Sequence, residues 1–149
     1  MFATCLCAGD NNAEIDKILS SAESLFKAMK AKNYQKMWTS LSEKSKSIIV
    51  DDVRKAEEKI GRKHTKEGID KDFTEGGSLS RLYWNNYLEN FSPDIVLQES
   101  TWEMGKIEKN QAEIIALHKK SPAPAILKMF KEGGVWKMGL EETFRSSRR

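Results

Sequence analysis

Apolar residues recur along this chain first with a helical period and then, beyond residue 95, with the alternation of strands. Ile15, Ile18, Leu19, Ala22, Leu25, Phe26 and Met29 form one stripe, with Asp16, Lys17, Glu23, Lys27 and Lys30 opposite. That predicts a surface helix with one buried side, started by Asn11 three residues before Glu14, an Asx form of the capping box. Asn33 breaks the pattern, and Tyr34, Met37, Trp38 and Leu41 predict a short second helix packed on the first. Ser42 or Ser45 starts a third, with Ile48, Ile49, Val53, Ala56 and Ile60 as its stripe and Gly61 as its stop. The charged stretch 62–77 holds Ile69 and Phe73 as anchors and predicts a short helix and a mobile loop, with Ser78 as the next cap. From Leu79 to Phe91 apolar residues cover most of the circumference, among them Tyr83, Trp84, Tyr87 and Phe91. Such a helix is expected to be buried on more than one side. Ser92-Pro93-Asp94 is read as the end of the helical part.

Ile95-Val96-Leu97 is expected to open a sheet, followed by a first long strand from Gln98 to Glu108 with Gly105 as a bulge. Lys109-Asn110 marks a turn, Ala112 to His118 a second strand, and Ala125 to Lys131 a third after the Ser121-Pro122-Ala123-Pro124 loop. Gly133-Gly134 closes a hairpin into a fourth strand, Val135 to Phe144. A two-residue turn pairs Lys131 with Trp136 and Met129 with Met138, and sets Leu127 across from Leu140. Leu127, Met129, Trp136, Met138 and Leu140 then share an apolar face, while Ile126, Phe130 and Val135 share a mixed one with Lys128 and Lys137. Helices followed by an antiparallel meander predict an α+β fold, N-terminal helices packed on a strongly bent sheet with a pocket between the layers.

At 149 residues this is one domain, placed at 11–144, with a polar tail at 145–149. A chain of this size buries roughly 70% of its unfolded surface and needs no disulfide or metal to fold. Twenty-five basic against 22 acidic residues, a net charge of +3 with the signs interspersed, point away from nucleic acid or an anionic membrane as main partner. Lys44-Ser45-Lys46 and Arg145-Ser146-Ser147-Arg148-Arg149 are read as solvated. Residues 1–10 are apolar and rich in small residues, then turn polar at Asp10-Asn11-Asn12. Two readings stand side by side. One is the tail end of a signal peptide, which implies export to the periplasm or cell envelope; a lipid anchor on Cys5 or Cys7 would then be the one link to a membrane. The other is a frayed cytoplasmic N-terminus. Thr4 and Leu6, which precede the two cysteines, are not the small residues of a lipoprotein site, and Cys5-x-Cys7 lacks the partners a metal needs.

Two segments carry a family likeness. Phe26-Lys27-Ala28-Met29-Lys30-Ala31-Lys32-Asn33-Tyr34-Gln35-Lys36-Met37-Trp38 resembles the opening of cystatin-like α+β proteins of the nuclear transport factor 2-like superfamily. Lys131-Glu132-Gly133-Gly134-Val135-Trp136-Lys137-Met138 is similar to their closing hairpin. The resemblance implies a cone-shaped sheet around helices. For the bacterial members it also implies exported or lipoprotein-type modules, many without assigned activity, that often dimerise. None of the catalytic residues of the superfamily's isomerases and dehydratases maps onto this chain by motif.

No Gly-rich phosphate loop, Ser-His-Asp signature or HExxH helix occurs, and no metal or cofactor is implied. His64 lies in a basic loop, where solvent exposure is the simplest account. His118 closes a strand on the face of Ile114 and Ala116; it serves as a general base if it points into a pocket, although a satisfied edge histidine is the commoner role. Tyr83 and Tyr87, one turn apart, are the candidate phenols for an oxyanion. Glu103, Glu113, Glu141 and Glu142 are the candidate carboxylates on the strands; Glu142, alternating with Trp136, Met138 and Leu140, is the one expected to face inward, read more simply as lying past the core in water. Trp84, Tyr87, Trp102, Trp136 and Met138 are the candidate lining of a ligand pocket, although large aromatics mostly fill cores. The first reading is therefore a non-enzymatic exported module that binds a small apolar or amphipathic ligand or a protein partner. The alternatives are an isomerase or dehydratase using His118, Glu142 and Tyr83 or Tyr87, and a structural dimer joined through Ile126, Phe130 and Val135.

Overall fold

The computed structural model describes the backbone of residues 2–145 and the side chains of residues 12–145. Among the described residues, seven helices and four strands follow in the order α1 (Phe2–Ala31), α2 (Tyr34–Thr39), α3 (Glu43–Lys59), α4 (Lys66–Glu75), α5 (Ser78–Asn90), α6 (Pro93–Gln98), β1 (Ser100–Ile107), β2 (Gln111–His118), β3 (Ala125–Glu132), β4 (Val135–Gly139) and α7 (Leu140–Phe144). The fold is α+β, with the strands in one antiparallel meander, order β1-β2-β3-β4. The cysteine chemistry at Cys5 and Cys7 and the solvation of residues 146–149 fall outside the described residues.

The helix boundaries have local causes. Asn33 caps α2 by accepting from the Lys36 N–H, and Ser42 caps α3 by accepting from the Ser45 N–H. Thr65 caps α4 through the Gly68 N–H. The helix does not start at Asn11, because the backbone of α1 is already helical from Phe2. Ser78 is not a cap either: it is the first residue of α5, whose Ser80 N–H is accepted by the Asp72 carboxylate of the preceding helix at 2.8 Å. The stripe of α3 is also rotated from its expected position. Ser45, Ile49, Val50, Val53 and Glu57 face inward, and Ile60 is 62% exposed past the edge of the core. Leu82 of α5 is likewise exposed, so that helix buries one side, through Ser80 and Trp84.

Strand register follows the hairpin. Gly133 and Gly134 adopt φ of 57° and 80°, the left-handed pair that a tight two-residue turn requires, and Lys131 pairs with Trp136 and Met129 with Met138. The β1–β2 register shifts between Met104 and Ile107, an irregularity of the pairing in the stretch that holds Gly105. Leu127, Met129, Trp136 and Met138 are buried with Ala112, Ile114 and Ala116, and all join one core with Phe26, Trp38, Phe73 and Trp84 of the helices. The opposite face is mixed: Ile126, Phe130 and Lys137 are half-buried, and Val135 and Lys128 are exposed.

Two segments depart from the expected sheet. Ile95-Val96-Leu97 opens no strand; it lies in α6, because Pro93 occupies the first turn of a new helix as well as closing the previous one. The fourth strand stops at Gly139, and Leu140 to Phe144 coil as α7. Gly139 sits where a Cβ would come within 2.5 Å of the Phe130 ring. Leu140 is therefore buried beneath a helix, not paired with Leu127, and the Thr143 hydroxyl accepts the Lys128 N–H beyond the end of β4. The other edge of β4 is covered by Ser40–Ser42: the Met138 N–H donates to Ser40 O and the Ser42 N–H to Met138 O, each at 2.9 Å.

Candidate functional site

A cavity of about 240 Å³ opens where the C-cap of α5, the middle of α6 and the end of α7 meet the sheet. Ala116 and Leu127 line it from the core face of β2 and β3, Ile95 and Val96 from α6, and Phe91 and Phe144 from the helix ends. The two phenylalanine rings meet edge to face, 5.3 Å between centroids, and Phe91 also stacks on Phe26 at 6.1 Å. Three bonds hold α6 against the sheet: Trp102 Nε1–H donates to Val96 O at 3.1 Å, the Ser100 hydroxyl to Ile95 O at 2.9 Å, and the Lys119 N–H to Glu99 O at 3.2 Å. Backbone polarity of the short helix is thereby satisfied locally, which leaves its apolar side chains to the cavity.

His118 stands at the rim, its side chain 25% exposed. Its Nδ1 accepts the Lys120 N–H at 3.2 Å, and its Nε2 lies 3.6 Å from Glu99 Oε1. Of the residues singled out from the sequence as acid, base or phenol, His118 alone reaches this cavity. Glu142 is not an inward strand residue, because its segment is helical. Its carboxylate accepts the hydroxyls of Ser42 at 2.8 Å and Ser45 at 2.5 Å, and it borders a separate polar groove of about 390 Å³ with Lys44, Lys106, Lys128 and Phe130. Tyr83 borders a third hollow, about 300 Å³, between α3 and α5. Tyr87 stacks on Tyr83 at 6.3 Å and packs between Trp84 and Phe91, each 5.5 Å away.

The tryptophans divide in the same way. Trp84 and Met138 are fully buried and Trp136 nearly so, all within the core. Trp102 borders an open groove of about 590 Å³ between α1 and α6, with Leu19, Leu97, Lys27 and Lys30. Trp136 donates through Nε1 to Glu14 Oε2 at 2.7 Å, and Lys131 Nζ reaches the same oxygen at 3.2 Å. These donors hold the Glu14 carboxyl below the usual glutamate range. His64 is half-buried rather than free in solvent, its Nε2 2.9 Å from Glu57 Oε1.

The cavity residues that sequence reasoning missed are Phe91, Ile95, Val96 and Phe144. Pro93 carried the signal for α6, since proline favours the first helical turn as strongly as it ends a preceding helix. Phe144 carried one too, four residues after Leu140 and so on its helical face. Among the described residues, no group of three or more His, Cys, Asp or Glu is placed to hold a metal ion, and no helix is long and apolar enough to cross a membrane. In comparison with known proteins, no family model, no curated protein and no solved structure matches this chain.

Proposed function

We propose that this protein is a non-enzymatic binding module of the nuclear transport factor 2-like kind, its sheet curved as a cone around the helices, and that it holds a small apolar or amphipathic ligand in the cavity rimmed by His118. The observation that carries this reading is the lining: Phe91, Ile95, Val96, Ala116, Leu127 and Phe144 converge from five elements, with one imidazole at the rim. Apolar walls with few polar groups are the usual composition of a small-molecule site. The volume restricts the ligand to about one ring or a short chain. An acid–base enzyme has less support, because His118, Glu142 and Tyr83 border three different hollows. Native mass spectrometry of the purified protein tests the proposal. A retained low-mass adduct is expected, and Leu127→Trp, which fills the cavity, removes it. Bare protein that also takes up no small apolar compound on titration would overturn the reading.

The outer sheet face supports a second reading, a homodimer. Glu103 and Glu113 lie on β1 and β2 and Lys128 and Lys137 on β3 and β4, with Ile115, Ile126 and Phe130 also on this face. A two-fold axis parallel to the strands sets the carboxylates of one copy over the lysines of the other, the self-complementarity that an isologous contact needs. Light scattering during gel filtration is expected to give the dimer mass, and Ile126→Asp the protomer mass. A protomer mass for the unaltered chain at high micromolar concentration would refute the contact.

A further inference from the structure

We infer that the ligand of this cavity is a neutral molecule with a compact apolar body and a hydroxyl head, such as a phenol, and that His118 Nε2–H is the donor that holds the head. The inference rests on the cavity reading above and adds the chemical class of the ligand.

The tautomer of His118 follows from the backbone. The Lys120 N–H is a donor and nothing else, so the Nδ1 it approaches at 3.2 Å is an acceptor without hydrogen. The neutral ring therefore carries its hydrogen on Nε2. Among the described residues Nε2 has no hydrogen-bond partner; Glu99 Oε1, at 3.6 Å, is just too far. His118 thus brings a donor to the rim, and the Glu99 carboxylate, which is not part of the lining, lies 3.6 Å from that donor as an acceptor. A hydroxyl satisfies both, accepting from Nε2–H and donating to the Glu99 carboxylate.

Other heads fit less well. A carboxylate would bring a second negative charge against Glu99, and like charges at such a distance repel. An ammonium would pair with Glu99 but leave the imidazole donor opposed to another donor, beside Lys119 and Lys120. Two serines of the lining already use their hydrogens, Ser100 on Ile95 O and Ser121 on Ala123 O. The edge-to-face pair of Phe91 and Phe144 presents aromatic walls to the body, and about 240 Å³ admits one ring.

Four compounds with one body and four heads test this: p-cresol, toluene, p-toluate and 4-methylbenzylamine. Each is titrated into the full chain, by calorimetry and by following the amide resonances of Ala116, Leu127 and His118. The expected order places p-cresol several-fold tighter than toluene, with p-toluate and the amine weakest. In His118→Phe the advantage of p-cresol over toluene disappears while toluene still binds. In His118→Gln, which keeps a donor, part of the advantage returns. Amide spectra of each variant report that the fold is retained. Tightest binding by p-toluate or by the amine overturns the neutral head. Equal binding of p-cresol and toluene overturns the role of His118 and leaves the cavity in place. No binding by any of the four, with Leu127→Trp indistinguishable from the unaltered chain, overturns the cavity itself.

Discussion

Glu14 ties the first helix to the last hairpin: its carboxylate takes Trp136 Nε1–H and Lys131 Nζ across more than a hundred residues of chain. Both donors favour the charged form, so its pKa is lower folded than unfolded. The stabilisation is fully present above the ordinary glutamate value of 4.5 and is lost as pH falls through the lower, folded value. Glu14→Gln keeps an acceptor for the indole and removes the charge. Its melting temperature is expected to lie below that of the unaltered protein at pH 6 and to converge with it toward pH 3, read from thermal melts followed by circular dichroism. A gap that stays constant over that range would show that charge plays no part. Met129 makes the contrasting case, an uncharged and fully buried side chain on the core face of β3. Met129→Ala is expected to cost about 2–5 kcal/mol in urea unfolding, the usual range for a large-to-small change in a packed core.

Helix α7 is too short to hold itself and depends on α3. Ser45, fully buried, donates to Glu142 Oε1 and accepts the Glu141 N–H at 3.0 Å. One turn on, Arg145 reaches Asp52 Oδ2 at 3.0 Å and Glu141 Oε1 at 3.1 Å, contacts that raise the guanidinium pKa. Arg145 thus belongs to the folded unit and not to the polar tail. Glu132 adds a carboxylate at the start of α3, accepting the Glu43 N–H at 3.2 Å, so the N-terminus of that helix faces negative charge from two elements. Ser45→Ala removes both hydroxyl bonds and leaves buried polar groups unmatched, and is expected to destabilise the protein by about 1–3 kcal/mol. Hydrogen exchange should then quicken at the amides of α7 and the start of α3 before those of β2 and β3. Uniform acceleration across the chain would count against a local clamp.

The core joins all of these elements. Phe26, Trp38, Phe73, Trp84, Ile114, Leu127 and Met138 belong to one buried cluster drawn from four helices and three strands. Ser40–Ser42 extends the sheet beside β4, and the α3–α7 network crosses almost a hundred residues, so neither half of the chain is closed without the other. A single cooperative transition follows. Tryptophan fluorescence and far-ultraviolet circular dichroism should give superimposable urea curves. Separate midpoints would mean that the helical half and the sheet unfold independently.

The hairpin register, the core face of β3 and β4, the restart of the chain at Asn33 and the start of α3 at Ser42, one of two serines offered, were legible because each depends on residues a few positions apart. A left-handed glycine pair sets which residues face each other, and a side-chain oxygen three residues before an N–H sets where a helix begins. The α+β class follows from the same local periods. Other features were not legible, for reasons that lie outside the local pattern. Leu140 fits strand alternation and a helical stripe equally well, and the turn of the chain at Gly139 depends on the Phe130 ring from the neighbouring strand. Ile95-Val96-Leu97 reads as a strand until Trp102, Ser100 and Lys119 fasten it to the sheet as a helix. The sequence by itself determined the α+β class, the closing hairpin and the buried faces of α1, β3 and β4, since periodicity within a segment records which side leaves water. The tertiary structure alone decided that His118, and not Glu142 or Tyr83, stands at the cavity between α6 and the sheet, because that hollow exists only where segments remote in sequence close around it.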